Sequence, residues 1–99
     1  DQHFYEPKLG KDPQKFIELY NTPNSQLDWE GGFYANGQAI GNKFDIKTFM
    51  HSGGWLGTST YYHRFPAAKL SVIVLCNRVE EPSWNHANAI AYRIIKNKF

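Results

Sequence analysis

The sequence has little of what cross-links and metal sites require: it contains one cysteine, Cys76, in 99 residues. A single thiol cannot form an internal disulfide. The histidines and acidic residues also lack the short spacings that are typical of zinc ligands. We therefore expect no metal and no other cofactor. No apolar run approaches the ~20 residues that a membrane-spanning helix needs, so no membrane span is predicted.

Blocks of like charge are absent as well. The net charge is +2, from 11 basic and 9 acidic residues scattered along the chain, and this pattern does not indicate a nucleic-acid partner. No signal peptide is visible, and the chain begins at Asp1 rather than Met, which favours a fragment or a processed product. One cysteine suits either side of a membrane, so the compartment stays open.

What the chain does contain is apolar and aromatic residues, at 41% and 16% of the sequence. This composition argues against disorder and predicts one small domain, residues 1–99, with a modest core. So many large rings on a short chain also predict that some of them meet a partner surface.

The expected fold class is α+β: an antiparallel sheet of three to four strands with a short N-terminal helix and a C-terminal helix packed on it. Asp12 as N-cap and Pro13 at the first helical position predict where the first helix starts. Phe16, Ile17, Leu19 and Tyr20 make that helix amphipathic. The predicted segments are an extended arm at 1–11, a helix at 12–21, a sheet at 28–77 and a helix at 83–97.

Within the sheet, Trp29–Ala35 is predicted as one strand weakened by glycines. Asn36-Gly37 and Gly41-Asn42 are turn candidates, and Ser52-Gly53-Gly54 is expected to interrupt a strand. The nearly continuous apolar run from Leu70 to Cys76 predicts a central strand covered on both faces. Ser83 is the expected N-cap of the last helix, whose apolar stripe is Ala87, Ile90, Ala91, Ile94 and Ile95.

The stretch from Thr48 to Asn77 carries an ordered set of features: His51-Ser52-Gly53, Gly57, Tyr61-Tyr62, Phe65-Pro66, and an apolar strand that ends in Leu-Cys-Asn. This set resembles the third to fifth strands of class C β-lactamase-like and penicillin-binding-protein-like (D,D-peptidase) serine hydrolases. The segment before it, including Phe4-Tyr5-Glu6-Pro7 and Leu27-Asp28-Trp29, is similar to one bacterial branch. The resemblance implies that the chain is the C-terminal portion of such an enzyme.

The resemblance also implies roles for four residues. Ser52 and Gly53 would bind substrate with His51, which stands where many relatives have lysine and would hold a carboxylate or relay a proton. The backbone N–H of Gly54 would complete the oxyanion hole, where one donor is worth ~3–4 kcal/mol of transition-state stabilisation. A histidine is charged only conditionally near neutral pH, so we expect weaker carboxylate capture and more esterase- or amidase-like substrates.

The family's nucleophile is the serine of Ser-x-x-Lys, and no serine here has a lysine three residues on. We expect this motif and the family's Tyr-x-Asn to lie upstream of Asp1, in a missing N-terminal part of the same protein that acts as partner. The parent enzyme would open a β-lactam, peptide or ester through an acyl-enzyme, whereas this chain alone would be inactive.

Two other functional hypotheses stay open. In the first, the chain is a non-catalytic binding domain of the same fold. In the second, it is a free-standing α+β interaction domain that forms a homodimer through its exposed sheet face or edge. The structural alternatives for single residues are a strand-end role for His51, rim packing for Trp55, surface positions for His63 and His86, and a core position for Cys76.

Overall fold

The computed structural model describes residues 2–29 and 32–98 and confirms the α+β class. The sheet has six strands rather than three to four, in the order β1-β2-β3-β4-β5-β6, with every neighbouring pair antiparallel. None of the described helices is long and apolar enough to cross a membrane. The strands are β1 (Asn24–Trp29), β2 (Gly32–Ala35), β3 (Gln38–Lys43), β4 (Ile46–Trp55), β5 (Thr58–Phe65) and β6 (Leu70–Cys76).

The helices are α1 (Gln2–Tyr5), α2 (Pro13–Tyr20) and α3 (Ser83–Lys98), with a 3-10 turn at Pro66–Ala68. The Asp12 cap is confirmed, because its carboxylate accepts a hydrogen bond from the backbone N–H of Lys15 at 3.2 Å. The arm expected to be extended begins with a helical turn instead. The Tyr5 hydroxyl there donates to the Leu70 carbonyl at 3.1 Å, which fastens the N-terminal residues to β6.

The additional strands are β1 and β3, which the sequence pattern did not predict. Of the segment expected as one strand, Trp29 ends β1 and Gly32–Ala35 forms β2, and Trp29 pairs with Gly32; Glu30 and Gly31 lie outside the described residues. Gly41 and Asn42 are inside β3 rather than in a turn. The turn falls on Phe44 and Asp45, which both have positive φ, and Phe44 is held there by stacking on Phe65 with ring centroids 6.2 Å apart.

The main core lies between the sheet and α3, on what we call the α3 face. Phe65, Val72, Ala87, Ala91 and Ile95 are buried in it. Ile90 of the predicted stripe stays exposed, because it lies to one side of the line of contact. Helix α3 begins at Ser83, whose buried hydroxyl lies 2.8 Å from that of Ser59, so the proposed N-cap is instead a helix-to-sheet contact.

The other side of the sheet, which we call the front face, is covered only in part. A second buried cluster of Ala35, Ile40 and Phe49 lies away from the α3 core. The guanidinium of Arg64, which is 2% exposed, lies between the rings of Phe4 and Phe49, at 3.6 and 4.3 Å from their centroids. This contact anchors the N-terminal helical turn to the front face at one end of the sheet.

The prediction for the apolar run is wrong: β6 is an edge strand, not a central one. Helix α3 covers one of its faces, while Ile73 and Leu75 are 60% and 77% exposed. An uninterrupted apolar run shows that both faces tolerate apolar side chains. It does not show whether the strand has a neighbour on both sides or lies at the edge of the sheet.

His63 was expected at the surface, but it is 2% exposed. Its Nδ1 lies 3.1 Å from Oδ1 of Asn88 in α3, and its ring packs on Phe65 with centroids 4.3 Å apart. Burial lowers the pKa of His63 to about 4, and the positive charge of Lys43 adds to that effect. The amide oxygen can only accept, so Nδ1 carries the proton of the neutral ring.

Candidate functional site

Strand β4 continues past the point where β3 ends. The β3–β4 register stops at Ala39 opposite Met50, whereas β4 pairs with β5 as far as Trp55. The segment from His51 to Trp55, which we call the β4 overhang, therefore has a strand neighbour on one side only. Ser52, Gly53 and Gly54 continue the strand rather than interrupting it. Trp55 at its end is 79% exposed and does not pack as expected.

The two tight turns that flank β4 fix the direction of its backbone groups. Lys43 with Ile46, and Trp55 with Thr58, face each other across two-residue loops, and such closing pairs are hydrogen-bonded. Because hydrogen-bonded pairs alternate along antiparallel strands, odd-numbered residues of β4 face β5 and even-numbered residues face the β3 side. In the overhang, Ser52 and Gly54 therefore direct their N–H and C=O groups beyond the end of β3.

The His51 ring lies against this free edge and has a partner at each nitrogen. Its Nδ1 is 2.6 Å from the Ser52 carbonyl oxygen, and its Nε2 is 2.9 Å from the Tyr34 hydroxyl oxygen. A carbonyl only accepts hydrogen bonds, so Nδ1 carries a proton. In the neutral ring Nε2 is then the acceptor, and Tyr34 donates to it.

Tyr34 is a residue of the candidate site that the sequence prediction missed. The expectation that Tyr-x-Asn lies upstream of the chain is wrong as a statement of pattern, because Tyr34-Ala35-Asn36 has this spacing. Only the tyrosine reaches His51. The Asn36 amide instead donates to the carbonyls of Leu19 and Tyr20 at 3.3 and 3.1 Å, so it fastens the end of α2 to the β2–β3 turn.

Next to the overhang, the front face forms a shallow groove of about 310 Å³. Cross-strand pairing builds its floor in two rows: His51, Tyr62 and Ile73 in one, and Gly53, Thr60 and Leu75 in the other. Directly paired residues share a face of the sheet. The groove thus runs from a polar end at β4 to an apolar end at β6. Its lining residues are His51, Ser52, Gly53, Thr60, Tyr61, Tyr62, Ile73 and Leu75.

The two glycines of the overhang meet different surroundings. A Cβ on Gly53 would lie 2.5 Å from the Thr60 hydroxyl oxygen, whereas the nearest atom to a Cβ on Gly54 is the Thr58 carbonyl oxygen at 4.0 Å. The Thr60 hydroxyl donates to the Gly53 carbonyl at 3.2 Å. Gly53 is therefore required for this close approach, and Gly54 leaves its backbone open to a ligand.

The structure brings together three of the predicted site residues, His51, Ser52 and Gly53, along the groove. Gly54 follows on the same edge, one residue beyond the lining. Among the described residues no group of three His, Cys, Asp or Glu side chains is arranged to hold a metal ion.

Comparisons with protein-family models, with curated proteins and with solved structures found no match for this chain.

Proposed function

We propose that this chain supplies the substrate-binding strand and the oxyanion side of a β-lactamase-like serine hydrolase site, for a β-lactam, peptide or ester. The observation that carries the proposal is the β4 overhang, where the Ser52 N–H and the backbone groups of Gly54 point away from β5 with no β3 residue opposite, whereas the Ser52 carbonyl is bonded to His51. An extended acyl compound can pair with such an edge as an added strand would.

The chemistry follows from the groups along the edge. The Gly54 N–H is the donor for a developing oxyanion, a contribution of ~3–4 kcal/mol for one well-placed donor. Ser52 and Gly53 hold the acyl part of the substrate. His51 already has partners at both ring nitrogens, so it offers a substrate carboxylate less than a lysine would. Esters and amides without a carboxylate suit this edge best.

The nucleophile has to come from another segment. No serine of the chain precedes a lysine by three residues, and that pair is the acylating unit of the family that the sequence resembles. We propose that the missing N-terminal part of the same protein provides it. In this arrangement the present chain binds and stabilises, and bond breaking needs the second segment.

Binding to the 99-residue chain tests the proposal directly. In an NMR titration with the methyl ester of N-acetyl-D-alanyl-D-alanine, we expect the amide signals of Ser52 and Gly54 to shift most. The free acid should bind no more tightly than the ester. A fluorescent penicillin should leave the chain without a covalent label. Shifts confined to residues outside the groove, or covalent labelling of this chain, would overturn the proposal.

Two variants at one position separate the N–H from the space around it. Gly54→Pro removes the outward N–H, and proline is tolerated where an edge N–H faces solvent. Gly54→Ala keeps that N–H, and its methyl group has no close neighbour. We expect ester binding to weaken about tenfold in Gly54→Pro, as for the loss of one hydrogen bond to the ligand, and to stay unchanged in Gly54→Ala.

A non-catalytic binding domain is the second candidate. It is favoured by the same lack of Ser-x-x-Lys together with the apolar end of the groove at Ile73 and Leu75. The adjoining polypeptide distinguishes the two: a Ser-x-x-Lys pair whose serine is labelled by penicillin indicates the hydrolase, and its absence indicates the binding domain.

A further inference from the structure

The two edges of the sheet differ in how they are protected. Edge strands that stay unpaired usually carry a bulge, a proline or an inward-facing charge that prevents a further strand from joining. Strand β1, at one edge, follows Pro23, contains Asp28, and has a register irregularity between Asn24 and Asp28. Such features are typical of an edge strand that does not pair with a further strand.

Strand β6, at the other edge, has none of these features. Its seven residues, LSVIVLC, include no charge and no proline, and its register with β5 is regular from Phe65–Leu70 to Ser59–Cys76. It is apolar and rich in β-branched residues, which is the composition of a strand that pairs readily.

The backbone of β6 is also set for pairing. Because Trp55 and Thr58 close a tight turn, the backbone N–H and C=O groups of even-numbered β5 residues point to β4. Those of odd-numbered β5 residues point to β6, where they bond the even-numbered residues opposite them. Ile73 and Leu75 therefore direct their N–H and C=O groups outward, to the free side of the sheet. Their side chains, 60% and 77% exposed, lie beside the same edge.

We propose that this edge joins the same edge of a second copy of the chain, antiparallel, with a two-fold axis at Ile73. That register places Ile73 opposite its copy in a hydrogen-bonded position, because the outward-facing residues are the odd-numbered ones. Val72 falls opposite Val74 and Ser71 opposite Leu75, so the three central pairs of the register are apolar. A two-fold axis makes one surface serve both copies.

The flanking charges favour a second copy in the antiparallel direction. Lys69 precedes β6, whereas Arg78, Glu80 and Glu81 follow it with an excess of one negative charge. Antiparallel pairing sets the lysine end of one copy beside the acidic end of the other, whereas parallel pairing would set lysine beside lysine. Arg78 and Glu80 are 3.9 Å apart and largely exposed, so they are accessible to a neighbour.

The dimer also completes the groove. Its apolar end is formed by Ile73 and Leu75, and the next strand across the sheet would be β6 of the second copy. The two grooves then meet at the two-fold axis on one continuous sheet. A seven-residue edge is small for a permanent interface, so we expect a dissociation constant on the order of micromolar.

Sedimentation velocity of the 99-residue chain from low to high micromolar concentration tests the proposal. We expect a monomer–dimer equilibrium. Ile73→Lys sets like charges opposite each other at the axis and should raise the dissociation constant at least about tenfold. Ile90→Lys makes the same change at an exposed position of α3 and should leave it unchanged. Far-UV circular dichroism confirms that each variant is folded.

Amide hydrogen exchange gives a second measurement that needs no variant. The amides of Ile73 and Leu75 should exchange more slowly as the protein concentration rises, while the exposed loop around Leu56 should not change. A monomer at every concentration, a dimer that Ile73→Lys leaves intact, or fast exchange of the Ile73 amide in a dimer would each overturn the proposal.

Discussion

The Tyr34 hydroxyl lies 2.9 Å from Nε2 of His51, while the Ser52 carbonyl, 2.6 Å from Nδ1, keeps the proton of the ring on Nδ1. Tyr34 is in β2 and His51 in β4, so the turn that begins at Asn36 brings the two residues together across the end of β3. With the Ser52 carbonyl at Nδ1, the contact gives both ring nitrogens a hydrogen-bond partner.

Removal of this hydroxyl should release the ring. In Tyr34→Phe we expect the Nε2–H tautomer of His51 to gain population, because the hydroxyl that donates to Nε2 is lost and only the Ser52 carbonyl still favours Nδ1–H. Long-range nitrogen–proton NMR spectra at a pH above the histidine titration measure the two populations. The change in the free energy of unfolding should be within ~1 kcal/mol, because the pair is exposed.

The matched control is Tyr92→Phe, which removes a half-exposed hydroxyl on α3 and should leave the His51 signals where they are. If Tyr34→Phe retained the single Nδ1–H tautomer, the Ser52 carbonyl alone would hold the ring, and the role assigned to Tyr34 would be wrong.

The close approach of Gly53 to Thr60 predicts an asymmetry between neighbouring glycines. Gly53→Ala forces its methyl group against the Thr60 hydroxyl, 2.5 Å away, and should lower the free energy of unfolding by about 1–3 kcal/mol. Gly54→Ala, with no atom nearer than 4.0 Å, should be neutral or slightly stabilising. Urea unfolding of both variants makes the comparison.

A second substitution locates the cause. Thr60→Ala removes the clashing oxygen, so the double variant Gly53→Ala/Thr60→Ala should be more stable than the sum of its single changes predicts. Additive losses would show that the glycine is required for some other reason.

The lowered pKa of His63 should make the free energy of unfolding depend on pH. This pKa is about 4 in the folded protein and ordinarily about 6.5 in an unfolded chain. Between these values the unfolded state binds more protons, so stability rises with pH. This contribution to stability is present above pH 6.5 and is lost as the pH falls through 4, by about 3 kcal/mol in all.

Urea unfolding at several pH values measures this slope. His63→Gln should flatten it, whereas Asn85→Gln, a change of an uncharged side chain at an exposed position of α3, should preserve it. An unchanged slope in His63→Gln would assign the pH dependence to other groups.

Arg64 predicts the largest loss of stability. Its Nη2 donates to Oε1 of Gln38 at 3.0 Å and to Oδ1 of Asn21 at 3.2 Å, and its guanidinium plane lies between two aromatic rings. Arg64→Lys keeps a charge but loses the planar donor group, so it should lower the free energy of unfolding by about 2–4 kcal/mol.

Arg93→Lys, at an exposed position of α3, should have almost no effect in the same measurement. Loss of Arg64 should also shift the ring-proton NMR signals of Phe4, because Phe4 is one of its two ring partners. Equal stability of the two lysine variants would refute this role.

Local signals in the sequence predicted the elements that depend on local chemistry. Asp12-Pro13 marked the start of α2 and Asn36-Gly37 a turn, and both are present. The sequence Phe44-Asp45 is not typical of a turn. The turn there is held by stacking of Phe44 on Phe65, a contact between residues far apart in the sequence. Predictions failed where a contact between distant residues decided the outcome, as with the burial of His63 by α3 and the edge position of β6.

The same distinction applies to the site. The order of residues around His51-Ser52-Gly53 indicated β4 as the strand of the site, and the groove lies along this strand. The role of Tyr34 depends on how far β3 extends and on a turn between two other strands. Neither the length of β3 nor the position of that turn can be inferred from the residues around His51.

The order of the strands has a consequence for how the chain folds. Each strand pairs only with its neighbours in sequence, so the sheet can grow by successive hairpins with short loops to close, and chains of this kind fold quickly. The bond from Tyr5 to Leu70 spans 65 residues and forms a much longer loop. Docking of the N-terminal residues is therefore expected late, after the transition state, so that Tyr5→Phe speeds unfolding and leaves the folding rate unchanged.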